Sequence, residues 1–331
     1  MKSFLSFVLV GIWCSAANAA EPPARQNTPP RNRMVRVVAV SQADLDRSKS
    51  DLLNQTMERL DRASSFRPDI ASLPEVFLPG APEVVPGPVT ERLAAWARQH
   101  SSYVIFGLRT RAGDKQYNSA ILLDRQGRVA GQYHKIHPTE RELGEGIHPG
   151  EQDPPVFETD FGKIGIQICF DVNWWDLWKR LKDKGARIVF FPAAYPAARQ
   201  LSALALTNQF YVVSSTQSRL SRIYDITGED LAISGQFQPW AGAAIPIGKR
   251  LFEIDFHTRK AHEIQKKYGP KVGLKWYHED DWFTLASLDP ELTVEDLMAE
   301  FGLTPLDDYR VRAGRVIDKA RVGSRPAANS K

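Results

Sequence analysis

Short β-branched runs alternate with amphipathic stretches along most of this chain, and that alternation constrains its fold more than any other feature. Met34 to Val40 reads MVRVVAV, which suits a half-buried strand. Asp51 to Ala63 places Leu52, Leu53, Met57 and Leu60 near one helical face. Ile70 to Leu73 is a short strand running into Pro74-Glu75, Glu91 to His100 is a helix, and Tyr103 to Leu108 is a strand. Asn118 to Asp124 and Arg128 to Tyr133 flank Arg125-Gln126-Gly127 as a hairpin, with Lys135 just beyond. Gly162 to Cys169 is the next strand. Asp171 has the chemistry of an N-cap for a helix over Trp174 to Lys184, with Gly185 as its stop. Ile188 to Phe191 is apolar enough for burial on both faces, Leu201 to Thr207 is helical, and Phe210 to Ser215 is a strand. This order predicts an α/β domain.

On the helix after Asp171, Trp174, Leu177, Trp178 and Leu181 recur at core spacing. Trp175 lies off that stripe and is the candidate aromatic contact for a ligand. Residues after about Arg250 change in texture: 251–322 reads as an extension packing on the domain or on a partner subunit, and 323–331 as a disordered tail. Within the extension, Thr293-x-x-Asp caps a helix carrying Leu297, Met298 and Phe301.

The net charge of +4 over 331 residues is small, with both signs interspersed, so no nucleic-acid surface is indicated. Lys2, the apolar run Phe4 to Trp13 and Ala17-Asn18-Ala19 form a signal-peptide pattern over 1–19. That run is too short to span a bilayer, so no stable membrane anchor is expected. Cleavage near Ala19 would leave 20–33 as a flexible lead-in and export the protein to the periplasm or the medium. Cys14 would leave with the leader. The mature chain would then hold one thiol, Cys169, and no internal disulfide.

Three polar residues each follow a strand at its carboxyl end: Glu75, Lys135 and Cys169. Open α/β sheets build their sites there. A thiol needs a base to become a nucleophile, and a carboxylate can take its proton. Attack on a carbonyl develops an oxyanion, which a fixed ammonium stabilises. A thiol opening a helix is also expected to have a lowered pKa. Singly, a cysteine is usually a buried hydrophobe, and a Glu or Lys a solvated charge; the ordered set is a constellation. His134 and His137 lack a third ligand, so neither a metal nor another cofactor is expected.

The segments Leu73-Pro74-Glu75, Tyr133-His134-Lys135-Ile136-His137 and Ile168-Cys169-Phe170-Asp171 resemble the carbon–nitrogen hydrolase (nitrilase) superfamily, over roughly Val35 to Gly248. The resemblance implies a four-layer αββα sandwich, placed here at 34–250, with subunits paired into a homodimer or higher homo-oligomer. It implies Glu75 as general base, Lys135 as oxyanion-stabilising cation, Cys169 as nucleophile and the Phe170 backbone N–H as second oxyanion donor. The family has a further Glu between the Lys and the Cys; Glu142 fits that place, with Glu140 and Glu145 as competitors. His134 stands where the family often has Arg, and Pro138 where it often has Leu. Phe170-Asp171 after the thiol resembles the amidase side, nitrile-hydrolysing members tending to Trp-Glu. The expectation is an exported thiol amidohydrolase acting on a small-molecule amide. The alternatives are an N-acyltransferase using the same residues and an inactive binding protein on this scaffold.

Overall fold

The structure is a computed structural model and describes residues 34–323. The leader, Cys14, the lead-in and the tail beyond Gly323 lie outside the described residues. The chain runs β1 (Met34–Val40), α1 (Leu52–Ala63), β2 (Ile70–Ser72), α2 (Pro88–His100), β3 (Tyr103–Ala112), β4 (Lys115–Leu123), β5 (Val129–His134) and the short α3 (Glu140–Gly144). It continues through β6 (Val156–Thr159), β7 (Gly162–Ile166), α4 (Trp175–Asp183), β8 (Ile188–Ala193), α5 (Ala198–Asn208), β9 (Tyr211–Thr216), β10 (Arg222–Tyr224), β11 (Asp230–Ile233) and β12 (Trp240–Pro246). The remainder is β13 (Arg250–Glu253), α6 (Thr258–Tyr268), β14 (Val272–Tyr277), β15 (Trp282–Ser287), α7 (Val294–Phe301) and α8 (Leu306–Gly323).

Two six-stranded sheets form the body, in the orders β12-β1-β2-β3-β4-β5 and β11-β10-β9-β8-β7-β6. Each has a parallel centre, β1-β2-β3 in the first and β7-β8-β9 in the second, and antiparallel edges. The two-residue period of a strand explains the layering. In β1, Val35, Val37 and Ala39 face the second sheet, joining Ile164, Ile166, Ile188 and Val212 in one core. Val38 and Val40 point the other way, into a second core with Met57 and Leu60 of α1 and Leu93 and Trp96 of α2. On the far side, Leu177, Trp178 and Leu181 of α4 and Leu201 and Leu204 of α5 cover the second sheet. The result is the αββα sandwich. Fully buried rings such as Phe190 and Phe191 each contribute about 1.5–3 kcal/mol by leaving water.

Three departures from the sequence reading have local causes. Helix α2 starts at Pro88, ahead of Glu91, because the Glu83 carboxylate accepts from Val89 N (2.9 Å) and Thr90 N (3.0 Å). Strand β3 runs on to Ala112 and turns back through Gly113, at φ +61°, into β4, a hairpin whose polar ends showed no apolar alternation. Strand β7 stops at Ile166, and Cys169–Asn173 is a 3₁₀ turn. Asp171 therefore does not cap α4, whose N-cap is Trp174. Its side chain, fully buried, turns inward instead.

Beyond Arg250 the chain builds a three-stranded antiparallel sheet in the order β13-β15-β14. Phe252, Phe283 and Leu285 pack there with Ile264 of α6 and Leu297 of α7. Thr293 and Asp296 form the expected capping box. Leu251 and Leu306 join the main core, and Asp307 at the start of α8 pairs with Lys182 of α4 at 2.7 Å. Trp175 is half-exposed and faces a groove with Leu204 and Val311. Trp174, its neighbour, packs beside the nucleophile turn as described below. Among the described residues no helix is long and apolar enough to cross a membrane.

Candidate active site

The carboxyl ends of β2, β5 and β7 converge, and close backbone approaches fix two of them. A Cβ on Gly107 of β3 would stand 2.6 Å from Glu75 Cα and 2.7 Å from Val76 N, so only glycine lets β3 lie against the Glu75 turn. A Cβ on Gly150 would stand 2.3 Å from the His134 carbonyl oxygen, just before Lys135. Gly150 N donates to Lys135 O at 2.8 Å, and Lys135 N donates to Asn118 O at 2.8 Å. The sheets are tied across the site. Ser215 Oγ of β9 donates to Ser72 Oγ of β2 at 2.6 Å.

Asp171 supplies the second tie. Its Oδ2 accepts from Tyr133 Oη of β5 (2.8 Å) and from Ile168 N (3.1 Å), and its Oδ1 accepts from His137 N (2.8 Å). One carboxylate thus locks the Cys169 turn to the loop that carries Lys135. Cys169 itself sits at φ +46°, in the left-handed region that an L residue occupies only when its surroundings impose it. His137 stacks on Trp174 with ring centres 3.6 Å apart, and Phe170 meets Trp174 edge-on at 5.2 Å.

Glu75, Lys135 and Cys169 are all buried, at 5%, 2% and 7% exposure. Lys135 Nζ donates to Glu75 Oε1 and to Glu142 Oε2, each at 2.8 Å. Glu142 reaches inward because it forms a capping box with Thr139, whose backbone N donates to Glu142 Oε2 at 2.8 Å. Glu140 is exposed, and Glu145 pairs at the surface with Arg109 and Arg141. The structure therefore brings Glu142 to Lys135 and leaves both competitors outside.

Sequence reasoning missed Asn118. Its Nδ2 donates to Glu75 Oε1 (2.8 Å) and to Glu142 Oε1 (2.7 Å), bridging the two carboxylates that Lys135 also bridges. It also missed Ala194, just past the end of β8, whose backbone N–H eases the Cys169 thiol pKa down while the Glu75 charge raises it. Tyr195 is half-buried one residue beyond Ala194, and burial raises its phenol pKa, with the Glu75 charge adding to it. For Ala194 and Tyr195 the only sequence sign was their position just past a strand end, and Asn118, inside β4, had none.

The electrostatics differ from the expectation for a thiol opening a helix. Burial pushes the Cys169 thiol well up and the Glu75 charge adds to that, against Lys135 and Ala194 N–H. The 3₁₀ turn is too short to supply the lowering that a helix N-terminus would give. Burial disfavours the Lys135 ammonium, but the Glu75 and Glu142 carboxylates outweigh it and hold Lys135 protonated. Burial would raise Glu142, yet Lys135, Thr139 N–H and Asn118 keep it below the usual carboxylate range. His134 hydrogen-bonds Ser119 at 2.7 Å and stacks on Tyr117, while His137 faces Asp171. Among the described residues no group of three or more His, Cys, Asp or Glu side chains is placed to hold a metal ion.

Residues 37–247 match the family model for carbon–nitrogen hydrolases. The chain belongs to that family. Members are enzymes that hydrolyse carbon–nitrogen bonds other than peptide bonds. The omega-amidase NIT2 of Xenopus tropicalis is 29% identical over 246 residues, covering 66% of this chain and 87% of the relative. Nit3 of Saccharomyces cerevisiae, a nitrilase-superfamily member, superposes with a TM-score of 0.58 at 20% identity, over 65% of this chain and 90% of its own. An amidase from Nesterenkonia sp. gives a TM-score of 0.57 at 18% identity, over 73% and 98%. These carbon–nitrogen hydrolase structures share the fold described above.

Proposed function

We propose that the protein is an exported thiol amidohydrolase that converts a small-molecule amide to a carboxylic acid and ammonia or an amine. The observation that carries the reading is the buried cluster: Glu75, Lys135 and Cys169 beyond converging strand ends, with Lys135 shared between Glu75 and Glu142. The thiol proton passes to Glu75 as Cys169 Sγ bonds to the amide carbon. The carbonyl electron pair moves to oxygen, which rests on Lys135 Nζ and the Phe170 backbone N–H. An ammonium has three donors, and the two carboxylates use two, leaving one for the oxyanion. When the carbon–nitrogen bond breaks, Glu75 returns its proton to the leaving nitrogen. Water then attacks the thioester and gives its proton to Glu75. The carbon–sulfur bond breaks, the acid leaves, and Glu75 reprotonates the thiolate.

The relatives named as amidases support amides over nitriles as substrates. So does Phe170-Asp171 after the thiol, where the family's nitrile-hydrolysing members tend to Trp-Glu. A panel of amides and the matching nitriles, assayed for ammonia and acid together, tests the reading. Faster turnover of the amides is expected, and faster turnover of the nitriles would reverse it.

Export belongs to the proposal through the leader pattern at 1–19. The intact mass of protein recovered from the medium or periplasm should lack Met1 to Ala19 and gain one alkyl group on denaturing alkylation. Retention of the leader in the recovered protein would sink this part. The family's pairing of subunits adds a homodimer or larger homo-oligomer, which light scattering reads directly.

A further inference from the structure

Glu75 is held from its carboxylate side by Lys135 and Asn118, and its backbone needs a separate support. Val76, the next residue, has φ +34°, a region that a β-branched residue occupies only when its surroundings impose it. The carbonyls of Glu75, Val76 and Phe77 all accept from side chains. Gln217 Nε2 donates to Glu75 O, and Gln42 Nε2 donates to Phe77 O at 2.8 Å. Arg47 does the most. Its Nη2 donates to Val76 O at 2.7 Å, and its Nη1 donates to Phe77 O at 3.3 Å and to Gln42 Oε1 at 2.6 Å.

Arg47 lies between β1 and α1, far from Glu75 in sequence, with a half-buried guanidinium. Among the described residues it forms no ion pair with any carboxylate. Burial disfavours its charge, and Glu75 is the carboxylate close enough to offset that. A partly buried cation that spends its donors on two successive carbonyls is a costly arrangement to keep for packing alone. The planar guanidinium suits it, since two carbonyls and an amide oxygen need a fork of fixed donors.

The geometry points to Arg47 as a positioning residue that holds the Glu75 turn, and so keeps the carboxylate in the cluster with Lys135 and Cys169. This rests on the reading of Glu75 as the general base. A base works through placement before basicity, and a misplacement of about 1 Å can cost about 10²-fold in rate.

Arg47→Ala and Arg47→Lys, with Glu75→Gln in parallel, test this by kcat, KM, melting temperature and added guanidinium or methylguanidinium ion. Arg47→Ala should lose about 10²-fold in kcat with KM little changed. Guanidinium at concentrations that leave the wild-type enzyme folded should recover part of the loss, because it refills the donor site. Arg47→Lys should fall between, one ammonium replacing a fork. Guanidinium should not rescue Glu75→Gln. Wild-type kcat in Arg47→Ala would overturn the assignment. So would a kcat loss that tracks a collapse in melting temperature and shows no rescue, which is the mark of a merely structural residue. If Arg47→Ala does not fold, Arg47→Lys decides: lowered kcat at unchanged melting temperature supports the role, and wild-type kcat refutes it. Full activity in Glu75→Gln would instead remove the base reading, and the positioning role with it.

Discussion

Cys169→Ala is expected to abolish turnover, lowering kcat by about 10⁴-fold or more, because the covalent route is lost and only binding and oxyanion stabilisation remain. The fold should survive. The thiol is small and belongs to the edge of a large core, so its removal should cost about 1 kcal/mol. The backbone there stays at φ +46°, a strain that alanine shares with cysteine. The resting state of the thiol follows from its surroundings. Burial and the Glu75 charge hold it protonated at neutral pH, against the pull of Lys135 and the Ala194 N–H. The proposed mechanism then couples attack to proton transfer into Glu75, with no preformed thiolate. Cys169→Ser should accordingly fail as well, since the hydroxyl is the weaker nucleophile at the same site. Iodoacetamide should react slowly with the resting enzyme at neutral pH and faster as pH rises. The checks are kcat on the best amide, the melting temperature, and the alkylation rate against pH. Undiminished hydrolysis by Cys169→Ala would remove the mechanism outright.

The fold was legible because the strands at the centres of both sheets are buried on two faces. Ile188 to Phe191 shows this most clearly: all four residues are buried, two against the facing sheet and two beneath helices, so the run is apolar without interruption. The β3–β4 hairpin was less legible because its tip, Arg109 to Tyr117, extends past the core and alternates only among polar side chains. In the site, Glu75, Lys135 and Cys169 were legible because each ends a strand. Asn118 was not, since an asparagine near a turn is ordinary, and only the fold brings its amide between two carboxylates. Asp171 misled for a physical reason. A cap and a buried tether are written with the same residue, and a sequence does not show that Tyr133, Ile168 and His137 all direct hydrogen atoms at it. The direction of the Cys169 shift was hidden in the same way, because it depends on a charge, Glu75, that is distant in sequence.

Glu142→Gln should cut kcat by about 10²-fold or more, although Glu142 donates nothing to the bond-making steps. The buried cluster holds one ammonium and two carboxylates, with Lys135 at 2.8 Å from each. While Glu142 is ionised, Lys135 keeps a counter-ion even when Glu75 has taken the thiol proton. Glutamine at 142 leaves Glu75 as the sole counter-ion. Protonating Glu75 would then leave the developing oxyanion as the only negative charge facing the buried ammonium, and removing a partner from a buried pair costs about 3–5 kcal/mol, of which even 3 kcal/mol in the barrier is about 10²-fold. The stability profile carries a matching sign. Because the Glu142 carboxyl is held below its ordinary value, its ionised form stabilises the fold above the unfolded-state pKa. That contribution is lost as pH falls through the folded-state value, so Glu142→Gln should flatten the acid side of the stability curve. Glu140→Gln and Glu145→Gln should keep wild-type kcat, since one side chain is exposed and the other is engaged with Arg109 and Arg141 at the surface. A dead Glu140→Gln beside a normal Glu142→Gln would place the loop register in error. It would leave Glu75, Lys135 and Cys169 untouched, because their contacts with one another do not pass through α3.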